Sequence, residues 1–137
     1  MFSKYTQLLM CSLLFVGIGY AKPLSDLAKN KIAEAREQAI INLQNDPEFI
    51  VIQKSLKAET IKCHKWLCEK DIAFKALIES DSTPAWKIKN KFNTLRIFYN
   101  HDEQFEALAK KKYKVYQAYE KYLRDNDKGL REALKSK

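Results

Sequence analysis

Glycine is almost missing from this chain: there are three in 137 residues, and two of them, Gly17 and Gly19, fall within the first 21. Gly129 alone serves everything that follows, so hairpins and other turns that need φ > 0 cannot be numerous. That argues against a β-protein. The same scarcity removes the glycine-rich loops that cradle phosphates and the Gly-x-Ser-x-Gly elbow of a hydrolase. Proline is equally rare, and Pro47 and Pro84 stand where helices should begin. No internal repeat and no low-complexity linker is visible.

Charge is lacking in one place. Between Leu8 and Gly19 the chain is apolar, broken only by Ser12, with Lys4 ahead of it and Gly19-Tyr20-Ala21 behind. That is the layout of a secretory signal cut before Lys22. A membrane anchor is the alternative, but a spanning helix needs about 20 apolar residues and this run is shorter. Lipidation at Cys11 would require a small residue before it, where Met10 stands. The expectation is therefore a signal peptide over residues 1–21, a single domain over 22–137, and a periplasmic or secreted protein. Removing the signal leaves 24 basic residues against 17 acidic, a net charge of about +7.

Helix signals fill the remainder. Ser25 can cap a first helix whose stripe is Leu24, Leu27, Ala28, Ile32, Ala35, Ala39 and Leu43, at spacings of three and four. Asp46-Pro47-Glu48 is a strong second start, a cap followed by proline and then an acid near the positive dipole end. Thr83-Pro84 repeats it ahead of Ala85, Ile88, Phe92, Leu95 and Tyr99. After a break at Asn100-His101-Asp102, Phe105, Leu108, Ala109, Val115, Tyr116, Tyr119 and Leu123 line a long helix. Asp127 can cap a short last one holding Leu130 and Leu134. Each helix is apolar on one face only, so the fold class is all-α, a compact bundle of four to five helices.

Cys63-His64-Lys65-Trp66-Leu67-Cys68 holds the only two cysteines after the signal. An oxidising compartment favours pairing them, and closing so small a loop contributes roughly 2 kcal/mol. Cα atoms five apart in a straight α-helix are about 8.6 Å apart, beyond the limit of about 7 Å for a disulfide. A Cys63–Cys68 bridge and an unbroken helix thus exclude each other. The preferred reading is the bridge, with a break in the helix and Asp71 capping a new segment of Ile72, Phe74, Leu77 and Ile78. Free thiols or a bond to another chain are the alternatives. Cys-His-x3-Cys is not a zinc spacing, haem attachment needs Cys-x-x-Cys-His, and a thioredoxin-like motif needs Cys-x-x-Cys. No metal and no cofactor is assigned.

Catalytic candidates are thin. Glu34/Glu37, Glu79/Asp81 and Asp102/Glu103/Glu106 alternate with lysines as solvated faces do, and His101 sits at a turn. No catalytic residue is assigned. The charge distribution points elsewhere: Lys22 to Glu69 carries a net +1, and Lys70 to Lys137 a net +6. Trp86 to Asn100 contains no acid, and the lysines of the long helix face a single one, Glu120. These two segments should be antiparallel neighbours whose cations merge into one field. Tyr113, Tyr116, Tyr119 and Tyr122 sweep about 60° per step around a helix, so Tyr113 or Tyr122 must reach the surface. The expected partner site is Trp86, Lys87, Lys91, Arg96, Lys110, Lys111, Tyr113 and Lys114. Its expected partner is a protein with an acidic surface, as for an immunity, inhibitor or secretion-accessory protein. The alternatives are an anionic membrane or polyanion, and a small hydrolytic enzyme built on His64 or His101. Export turns the basic surface away from nucleic acid.

Overall fold

Four aspartates set the helix starts. Asp46, Asp71, Asp102 and Asp127 are extended, and each accepts a hydrogen bond from the backbone N–H three residues on. The donors are Phe49 at 3.0 Å, Phe74 at 2.7 Å, Phe105 at 3.0 Å and Leu130 at 2.8 Å. Every one of those donors is also a fully buried side chain. The residue whose N–H is capped is therefore the residue that anchors the new helix in the core.

The computed structural model describes residues 26–136, and all regular structure among them is helical. The expected signal peptide over 1–21, Leu24 and the Ser25 cap lie outside the described residues. Six helices follow in order: α1 (Asp26–Asn42), α2 (Pro47–Lys70), α3 (Ile72–Glu79), α4 (Ala85–Phe98), α5 (Glu103–Asn126) and α6 (Lys128–Lys135). Six helices stand where four to five were expected, and the caps expected at Asp71 and Asp127 act as one-residue joints. Each ends a long helix, donating its own N–H to Leu67 O (2.8 Å) or Leu123 O (3.0 Å), and caps the short helix after it. Thr83-Pro84 is not the copy of Asp46-Pro47 that was expected. There Pro84 occupies the cap position itself, and no side chain closes the first turn.

The expectation of no internal repeat is overturned. Helices α1, α2 and α3 have 17, 24 and 8 residues; α4, α5 and α6 have 14, 24 and 8. A shift of 56 residues aligns Asp46 with Asp102, Phe49 with Phe105, Leu67 with Leu123 and Asp71 with Asp127. Packing follows the same exchange. The two long helices run antiparallel, with Trp66 on Phe105 (5.1 Å) at one end and Tyr122 on Phe49 (6.0 Å) at the other. These two contacts are each other's counterparts. Around that pair α3 packs on α4, and equivalently α6 packs on α1. The described chain is a pair of three-helix units related by a pseudo-twofold axis.

The axis leaves two cores. One gathers Cys63, Trp66, Leu67, Phe74, Ile88, Phe92, Leu95 and Phe105. The other gathers Ala39, Phe49, Leu56, Tyr116, Tyr119, Leu123 and Leu130. Each buried Leu or Phe contributes about 1.5–3 kcal/mol, so both units depend on the interface between them. Arg36 and Glu120 form a largely buried ion pair between α1 and α5, beside Tyr116.

The Cys63–Cys68 bridge is not present. Both thiols are free, Cys63 buried and Cys68 half-buried, and α2 passes through them unbroken to Lys70. Five helical steps turn the two side chains onto different flanks, about 140° apart. A break would pull Trp66 and Leu67, both buried in the same turn, out of register with the core. Their burial outweighs the roughly 2 kcal/mol that so short a loop offers. The helix wins.

Candidate functional site

Helices α4 and α5 touch through few side chains: Phe92 on Phe105 (6.4 Å), and the Lys112 ammonium 4.1 Å above the centre of the Phe92 ring. Beyond these contacts the helices leave a groove of about 480 Å³. Arg96 and Asn100 form one side; Phe105, Glu106, Ala109, Lys110, Lys111, Tyr113, Lys114 and Gln117 form the other. Five of the residues expected in a partner site, Arg96, Lys110, Lys111, Tyr113 and Lys114, are thus brought together. Lys110 pairs with Glu106 at 2.9 Å in the open, an interaction worth little in water. Arg96, Lys111 and Lys114 have no ion-pair partner among the described residues. The groove is cationic with an apolar floor of Phe105, Ala109 and Tyr113.

Trp86, Lys87 and Lys91 are not in the groove. On a helix, Lys91 and Lys87 project about 140° and 180° away from Arg96, so the expected merging of all these cations does not occur. Lys87 instead lies over the exposed Trp86 ring at 5.6 Å. The outer face of α4 also carries Ile97 and Phe98, 74% and 73% exposed. Ile97 was missed in the sequence. The spacing Ala85, Ile88, Phe92, Leu95 and Tyr99 already places it off the core stripe.

The tyrosine series resolves as its period demands. Tyr116 and Tyr119 are buried and Tyr113 is exposed. Tyr122 is half-buried, donating its hydroxyl to the Asp46 carboxylate at 2.9 Å. Glu120, expected to face the lysines of its own helix, turns inward to Arg36 instead.

Neither histidine lies beside a carboxylate in a cleft. His64 is buried against Phe74 (5.4 Å) and Phe92 (5.6 Å). Burial, and then the field of Lys112, push its pKa down to about 3. Burial also pushes the neighbouring Cys63 thiol up, away from the thiolate a nucleophile requires. His101 is exposed beside the Asp102 cap. Among the described residues no cluster of His, Cys, Asp or Glu is placed to hold a metal ion, and no helix is long and apolar enough to cross a membrane.

The chain matches no family model, no curated protein and no solved structure.

Proposed function

We propose that the protein is an exported binding protein that captures an acidic partner protein in the groove between α4 and α5. One observation carries this reading: Arg96, Lys111 and Lys114, without ion-pair partners among the described residues, line an open groove floored by Phe105 and Tyr113. A basic rim around an apolar floor suits a segment that alternates carboxylates with apolar side chains. Peptide-display selection tests it. The wild-type chain should enrich peptides rich in Asp and Glu spaced by Leu or Phe. A chain carrying Arg96→Glu, Lys111→Glu and Lys114→Glu should lose that enrichment, and equal selection by both proteins moves the site elsewhere.

A second reading, contact with an anionic membrane surface, is favoured by the outer face of α4. Exposed Trp86, Ile97 and Phe98 share that face with Lys87, the composition of an interfacial helix. Sedimentation with anionic but not zwitterionic vesicles, abolished by Trp86→Ala with Phe98→Ala, supports it. No sedimentation with either removes it.

A further inference from the structure

Lys112 occupies a position the fold gives to an apolar residue. It continues the buried stripe of α5, one turn from Leu108 and from Tyr116, at the level where the two cores divide. Its counterpart across the pseudo-twofold axis is Leu56, which is fully buried. In the unit related by that axis the buried cation, Arg36, has its own carboxylate, Glu120. Lys112 has none. No acid is present on α4, Glu59 of the facing helix pairs with Lys62, and Glu106 pairs with Lys110. The ammonium lies over the Phe92 ring, with Cys63 and His64 within its field. Two more cations converge there: Lys89 and Arg96 lie three before and four after Phe92, on the flank of α4 that bears the groove, and Arg96 is one of its walls. Burial pushes the Lys112 pKa down; the nearby Cys63 thiol opposes this, and the fields of Arg96 and Lys89 add to it.

We infer that Lys112 and Arg96 form an anion-receiving site behind the Arg96 wall of the groove, with the Lys89 charge adding to its field, and that its ligand is a single carboxylate of the partner's acidic segment. The inference rests on the groove reading for the identity of the anion's owner. An entering carboxylate neutralises a charge that the protein itself leaves uncompensated, which concentrates binding energy at one point of the interface.

The test is an NMR titration of the full chain, labelled at the lysine Cε, with a short oligoglutamate peptide and separately with inorganic phosphate. The Lys112 resonance should shift saturably with oligoglutamate while that of exposed Lys128 drifts without saturating. Lys112→Met should weaken oligoglutamate binding by at least about tenfold with the melting temperature unchanged or raised, and Lys112→Arg should recover part of it. Saturation by phosphate but not by oligoglutamate overturns the carboxylate assignment. Equal affinity of wild type and Lys112→Met overturns the site. If peptide selection is lost on reversing Arg96, Lys111 and Lys114 while Lys112→Met binds normally, the groove stands and this site falls.

Discussion

At the scale of single residues, a buried aspartate joins two helices and a buried histidine is held neutral. Asp127 is that aspartate. It is buried, caps α6 through the Leu130 N–H, ends α5 with its own N–H, and receives the Asn42 side chain of α1 at 3.1 Å. Asp127→Ala removes a cap and leaves a buried N–H unsatisfied, so it should cost about 1–2 kcal/mol in denaturant unfolding. His64 is the buried histidine. Its folded pKa, near 3, lies below the unfolded value of 6.5. Between those two values the unfolded chain binds a proton that the folded one refuses. Stability therefore falls with acidification through that window, by up to about 1.4 kcal/mol per pH unit. Unfolding of wild type and His64→Leu from pH 7 to pH 4 should show the gap between them move steadily in favour of the variant; a constant gap contradicts the assignment.

At the scale of elements, the sequence was most legible where one residue decides a boundary. Asp46-Pro47, Asp71 and Asp127 announce their helices, and each cap is present. Thr83-Pro84 misled because a capping residue followed by proline can also lie one position earlier relative to the helix, with proline itself at the cap. The cysteine pair misled for a different reason. The geometric conflict between bridge and helix is visible in the spacing, but its outcome depends on how deeply Trp66 and Leu67 are buried, which only packing reveals. The groove was partly legible in the same sense. A run of cations on α5 can be read directly, while the exclusion of Lys87 and Lys91 follows from their turn away from Arg96. Lys89, passed over as part of a charge run, shares the flank of Phe92 and Arg96 and could have been found from its spacing.

At the scale of the whole molecule, the repeat escaped notice because symmetry is kept in caps and anchors while chemistry differs at the positions between them. Leu56 corresponds to Lys112, Arg36 to Phe92 and His64 to Glu120. A pseudo-twofold fold that tolerates such exchanges makes each unit a control for the other. Lys112 in place of a core leucine is then a departure that stability does not explain, and exchanging the residues should measure it. Lys112→Leu removes an unpaired, half-buried charge and should stabilise the chain by about 1–2 kcal/mol. Leu56→Lys, at the equivalent place in the other core, deletes a fully buried side chain and inserts a charge. It should cost at least about 3 kcal/mol. Opposite signs in urea unfolding would identify Lys112 as a residue held against the preference of the fold. Destabilisation by both changes would mean that the Phe92 ring alone satisfies the ammonium, and that the two cores have diverged in packing and not in purpose.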